Sequence, residues 1–285
     1  MLALTMVVLG ALSVQSQDFT WSGAIPSGKR LVVKNISGDI RVEPTSGSQA
    51  TVTAVKRPGR HGDPEDVVVR QVSTDEGIEI CVLYPGSDDN DGDCDWDGNR
   101  RHSHRHNGSN WDNNDTQVNF TVKVPANTNL RVGTVSGDVN GSGIRGETEA
   151  RSVSGDVILN DVTGKIVEAV TVSGNVELIQ VNADEVVAET VSGDVDFSGE
   201  IRKGGDYDMK TLSGDVVMRI PKNAGAQVSG ATFSGDFHTS FPITTKATSR
   251  YTKRSRLDGT IGDGSARIRV ESFSGDVELR EIGER

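Results

Sequence analysis

The 285-residue sequence predicts an all-β fold, a β-solenoid-like stack of short strands, with an antiparallel β-sandwich as the alternative. Three observations carry this expectation. A Ser-Gly-Asp triplet recurs along the chain at nearly constant spacing. Apolar residues alternate with period two on both sides of the triplet, and no segment shows helical periodicity. Glycine is abundant at 33 residues while aromatics make up only 5%, which suits a thin core with many tight turns.

The triplet begins at Ser37-Gly38-Asp39. It returns at Ser136-Gly137-Asp138, Ser154-Gly155-Asp156, Ser173-Gly174-Asn175, Ser192-Gly193-Asp194, Ser213-Gly214-Asp215, Ser234-Gly235-Asp236 and Ser274-Gly275-Asp276. From Gly137 to Gly235 the glycines step by 18, 19, 19, 21 and 21 residues. Gly275 lies 40 further on, about two repeats, so a degenerate copy is expected at Gly259 to Gly264.

Flanking residues explain the triplet. Before it, Val167, Ala169 and Thr171 share one face, as do Val186, Ala188 and Thr190, then Tyr207, Met209 and Thr211. After it come Val157 and Leu159, Val176 and Leu178, Val195 and Phe197, Val216 and Met218. Inward parity changes across the triplet, so the chain bends there. Glycine opens a backbone angle closed to other residues, and the flanking Ser and Asp or Asn are expected to bond nearby amides. One such repeat is too small to stand alone and must be stabilised by its neighbours. Stacking would set Asp138, Asp156, Asn175, Asp194, Asp215 and Asp236 about 4.8 Å apart. Such a ladder could take Ca²⁺, but Asp and Asn are the ordinary residues of this turn, and amide capping is the expected use.

The expected organisation is a signal peptide at 1–16, an N-terminal β region at 17–125 and a repeat region at 126–285. Strand-like runs occupy Arg30 to Val42, Ala50 to Lys56, Asp66 to Val72, Gly77 to Tyr84 and Gln117 to Pro125. Val118, Phe120, Val122 and Val124 share a face, and Trp21 is placed to cover the first edge. The pattern stops in a polar insertion at 85–114. There Asp88, Asp89, Asp91, Asp93, Asp95 and Asp97 precede His102, His104 and His106. Alternating oxygen ligands suit Ca²⁺, and the histidines suit Zn²⁺, Cu²⁺ or Ni²⁺. The register does not complete an EF-hand, because the twelfth position from Asp93 is His104. A polar surface insertion is expected, with no metal or cofactor site assigned beyond weak Ca²⁺ affinity.

Met1 to Val14 is apolar and short, which reads as a secretory h-region with cleavage near Ser16 or Ser13. No Lys or Arg precedes it and no Cys follows it, so a lipid anchor is not expected there. The two cysteines, Cys81 and Cys94, suit an oxidised loop outside the cytoplasm, although two unrelated thiols would give the same count. A net charge of −11 offers no basic face for nucleic acid. The nearest candidate, Lys246 to Arg256, reads as a solvated loop or edge strand. No later stretch approaches membrane-spanning length.

The repeated Thr-Val-Ser-Gly-Asp-Val segments, the run Leu31 to Val42 and the segment Val118 to Asp138 resemble the bacterial DUF4097 family, also described as adhesin or β-strand repeat proteins. The resemblance covers Leu31 to Leu279. It implies an exported, noncatalytic envelope protein that binds an envelope, cell-surface or glycan partner, and it supplies no catalytic residues. Family members often carry a membrane segment or fused domain, and neither is visible here. The alternatives are a carbohydrate-active enzyme on a β-solenoid and an envelope-stress accessory factor. Against the enzyme, each carboxylate of the triplets has a structural reason to be there, and nothing in the sequence brings a Ser-His-Asp set together.

Overall fold

The computed structural model describes residues 19–85, 114–245 and 255–283. Among these residues the chain forms 23 strands in two sheets, of eleven and twelve strands, plus one 3-10 turn at Pro64–Asp66. Strands β1 (Phe19–Gly23), β3 (Ile40–Thr45), β4 (Ala50–Arg57) and β7 (Gln117–Pro125) open sheet 1, the eleven-stranded sheet. Strands β2 (Arg30–Lys34), β5 (Val68–Ser73) and β6 (Gly77–Leu83) open sheet 2. The predicted run Arg30 to Val42 is therefore two strands on opposite sheets, divided by the first Ser-Gly-Asp corner. The run predicted from Asp66 starts later, because the 3-10 turn occupies its first residue.

From there the chain alternates between sheets. Strands β8 (Asn129–Ser136), β10 (Thr148–Ser154), β12 (Ile166–Val170), β14 (Glu185–Ser192) and β16 (Asp206–Ser213) lie in sheet 2. Each passes through a corner into β9 (Val139–Ser142), β11 (Val157–Asn160), β13 (Val176–Val181), β15 (Val195–Gly199) or β17 (Val216–Ile220) of sheet 1. Neighbouring coils pair parallel and in register, as in Val167 opposite Val186 and Val157 opposite Val176. Parallel stacking of two sheets makes this a β-solenoid-like fold and excludes the sandwich of successive antiparallel strands. Antiparallel pairing is confined to the ends, where β1, β4 and β7 finish sheet 1 and β5 pairs with β6 in sheet 2. Trp21 lies in β1, itself the edge strand, half-buried against the core.

The far end departs from sequence order. Strands β18 (Ala226–Ser234), β19 (Phe237–Thr239), β20 (Thr244–Thr245), β21 (Ser255–Ile261), β22 (Ala266–Ser274) and β23 (Val277–Glu281) complete the molecule. Strand β22 lies between β16 and β18, and β23 lies between β17 and β19. The last coil in sequence is thus next to last in space. The degenerate copy expected at Gly259 to Gly264 is not a corner: Gly259 lies in β21, which runs antiparallel beside β18. A 40-residue gap looked like a missing repeat, but it is a hairpin that returns the chain for insertion.

The core is built from two files of inward residues per sheet. Val186, Ala188, Tyr207, Met209, Ile268 and Val270 come from sheet 2, and Leu178, Val195, Phe197, Val216 and Met218 from sheet 1, all with no exposed surface. Burying each large side chain contributes about 1.5–3 kcal/mol. Phe197 and Tyr207 pack edge to face within the core, with centroids 6.0 Å apart at 64°. The Tyr207 hydroxyl donates to the Ala183 carbonyl at 2.9 Å and accepts the Arg202 amide at 2.8 Å, so the polar end of this core ring is satisfied. Burial pushes its pKa up.

Candidate interaction surface

Each corner is built from five residues with separate tasks, seen at Thr171-Val172-Ser173-Gly174-Asn175. Gly174 has φ of 149°, closed to L side chains. A Cβ there would overlap the carbonyl oxygen of Gly155 in the neighbouring coil. Glycine is therefore required both for its angle and for close coil approach. The buried Thr171 hydroxyl donates to that same Gly155 carbonyl at 2.9 Å. Equivalent bonds run from Thr134 to Gly38, Ser152 to Gly137, Thr190 to Gly174, Thr211 to Gly193, Ser272 to Gly214 and Thr232 to Gly275.

The fifth residue forms a second ladder. Its side-chain oxygen accepts the backbone N–H of the equivalent residue one coil on, not an amide of its own turn as the sequence suggested. Asp138 caps Asp156, Asp156 caps Asn175, Asn175 caps Asp194 and Asp194 caps Asp215, at 2.7–2.9 Å. The series continues from Asp215 to Asp276 and then from Asp276 to Asp236. At the other end Asn119, on β7, caps Asp39, which caps Asp138. One oxygen of each capping side chain is thereby held in a hydrogen bond to the stack. Among the described residues no three His, Cys, Asp or Glu side chains form a metal-holding group.

The second residue of the corner faces out and is apolar in every coil. In spatial order the row is Ile36, Val135, Val153, Val172, Val191, Leu212, Phe273 and Phe233, each 37–52% exposed. These are eight of the ten large exposed apolar side chains among the described residues, so the exposure is concentrated in one line and not scattered. Phe233 and Phe273 stack at 4.8 Å and 4°. Beside them a groove of about 490 Å³ runs along the outer face of sheet 2, lined by Val191, Leu212, Lys210 and Arg256 as well as both rings. Sequence reasoning missed this row. The signal was present as the apolar residue between Thr and Ser in each corner, where parity turns it outward.

Other expected site residues fall elsewhere. The aspartates 88–97, His102, His104, His106 and Cys94 lie outside the described residues, and Cys81 is buried in β6. The base of the insertion is described. The Tyr84 hydroxyl donates to the Thr116 carbonyl, and burial pushes its pKa up to about 12. Asn114 donates to the Asp63 carbonyl at 3.1 Å. Asp115 accepts the amides of His61 at 3.0 Å and Arg60 at 2.8 Å, which hold its carboxyl below the usual aspartate value. Of the basic cluster, residues 246–254 are outside the description, while Arg256 in β21 pairs with Asp258 at 2.8 Å. Among the described residues no helix is long and apolar enough to cross a membrane.

The family model Toastrack DUF4097 matches residues 91–280, well over half of the chain. The chain belongs to the Toastrack DUF4097 family. The match starts later than the resemblance read from the sequence, which began at Leu31. No curated protein matches. Two solved structures align with this Toastrack chain over 92% of its length. One is a putative cell adhesion protein from Clostridium sporogenes ATCC 15579, at 9% identity, 99% coverage of its own chain and a TM-score of 0.40. The other is a putative adhesin from Bacteroides fragilis NCTC 9343, at 12% identity, 96% coverage and a TM-score of 0.42.

Proposed function

We propose that this Toastrack protein is a noncatalytic binding or structural module of the cell envelope, adhesin-like in its use. The observation that carries the reading is the corner itself. Its threonine, glycine and aspartate form bonds from coil to coil, which accounts for them structurally, while its second residue presents a continuous apolar row to solvent. A regular outer face of this kind is suited to contact and offers no convergent acid, base and nucleophile. Export follows from the apolar segment at 1–16, with Cys81 and Cys94 forming a disulfide at the root of the polar insertion. Iodoacetamide labelling before and after reduction checks that pairing by mass.

The test is binding of purified chain to whole cells, extracellular matrix and isolated envelope polymers, with a polysaccharide turnover panel run on the same sample. Saturable retention without turnover is the expected result. Absence of binding to every surface, or turnover lost on replacing one carboxylate pair, would overturn the reading.

A further inference from the structure

The apolar row is one of several parallel rows on the outer face of sheet 2. One step inward from each corner, at the position before the buried Thr or Ser, lies a second row. In spatial order it reads Lys34, Gly133, Arg151, Val170, Glu189, Lys210, Glu271 and Ala231. Cations dominate its first half and carboxylates its second. That polarity has a geometric consequence. A two-fold axis parallel to the strands reverses coil order but keeps each row over itself, so the first half of the row would face the second half of its copy.

We propose that this face binds a second copy of the same chain, the two stacks antiparallel, with the two-fold axis passing over the coil of Val170 and Val172. In that register Lys34 faces Glu271 of the other copy, Arg151 faces Glu189, and Val170 faces Val170. The apolar row closes at the same time: Ile36 lies over Phe273, Val135 over Leu212, Val153 over Val191, and Val172 over itself. A third row adds Arg131 against Asp208. Glu168 meets its counterpart at the axis, and each Glu168 keeps Arg151 of its own copy beside it.

Neighbouring registers fail. Sliding by one coil sets Arg151 against Lys210 in one direction and Lys34 against Lys210 in the other, and sliding by two coils sets Glu189 against Glu189 or Arg151 against Arg151. The sign pattern thus selects one alignment. Spacing agrees, since a second coil stack repeats its side chains at the same interval, every 4.8 Å or so, across all eight positions. With eight side chains 37–52% exposed, the apolar row presents on the order of 600 Å² per copy. Two copies together reach the lower end of stable interfaces, about 1,200–2,000 Å², before the charged row is added.

Sedimentation equilibrium of the purified full chain tests this. A dimer is expected. Val172→Arg, which places two cations at the axis, should give a monomer with an unchanged thermal melt, because Val172 is exposed in the single chain. Glu189→Arg should weaken the dimer about tenfold or more, as should Glu271→Arg, because each sets a cation against a cation of the other copy. A chain that stays monomeric at about 100 µM would overturn the proposal. So would a dimer indifferent to Val172→Arg, a dimer indifferent to both charge reversals, or a monomer that instead partitions onto neutral lipid vesicles through the apolar row.

Discussion

The backbone amide of Asp276 donates to the carboxylate of Asp215 at 2.7 Å, although 61 residues separate them. Asp236, which follows Asp215 by one repeat in sequence, instead donates to Asp276 at 2.8 Å. The coil of β22 and β23 is therefore a wedge that holds β18 and β19 to the rest of the stack. Removing residues 255–285 should release that outer coil as well as delete the wedge. Hydrogen exchange would show β18 amides losing protection while β10 to β15 keep theirs. Retained protection in β18 would contradict the inserted order.

Gly155 separates two costs that glycine substitution can carry. Its φ is 147°, and an added Cβ would collide with the Gly137 carbonyl in the adjacent coil. Gly204 has a φ of 78° with open space around it. Gly204→Ala should cost about 1–2 kcal/mol, the left-handed penalty alone. Gly155→Ala should cost at least about 3 kcal/mol, because the stack must also part at that corner. Denaturant unfolding of the two variants checks the ranking, and equal losses would remove the steric argument.

Thr190 tests the hydroxyl ladder. Its side chain is buried and donates to the Gly174 carbonyl at 2.9 Å. Thr190→Val keeps the shape and removes the donor, so a loss of about 1–3 kcal/mol is expected. Thr190→Ser should cost less, since Ser152 and Ser272 already make the same bond in their own coils. Urea midpoints for the pair measure the difference, and a neutral Thr190→Val would mean that the bond contributes nothing net.

Much of this was legible in the sequence because the fold repeats. Alternation at Val186, Ala188 and Thr190 fixed the inward face, and among the described residues the triplet marked each tight corner from sheet 2 into sheet 1 but none of the return turns. Coil order was not legible at the far end. Corner motifs are identical, so nothing in Ser234-Gly235-Asp236 says that Gly275 will come between it and Gly214. The strand pairings that decide it involve residues 40 and 61 apart. The Asp ladder was seen as a spacing but read as a local turn bond, because a single repeat does not reveal that its nearest free amide belongs to the next coil. The apolar row was overlooked for a related reason: each outward Val or Phe is unremarkable alone, and only stacking aligns them.

Asp115 gives the pH prediction. The amides of His61 and Arg60 bond its carboxylate, and these bonds hold its folded pKa below the ordinary aspartate value of 3.8. A lowered folded value means the charged form favours the folded chain. Its stabilising effect is present above the unfolded value and is lost as pH falls through the folded one. Carbon-13 titration of the Asp115 carboxyl should therefore show a midpoint below 3.8, with the amide shifts of Arg60 and His61 moving at that same midpoint. Asp115→Asn should abolish that shared step and flatten the acid limb of thermal stability, leaving the neutral limb to the remaining carboxylates. A midpoint at or above 3.8 would mean that the two amides do not hold the carboxylate in solution. The base of the polar insertion would then lack the clasp that Asp115, Asn114 and Tyr84 form there.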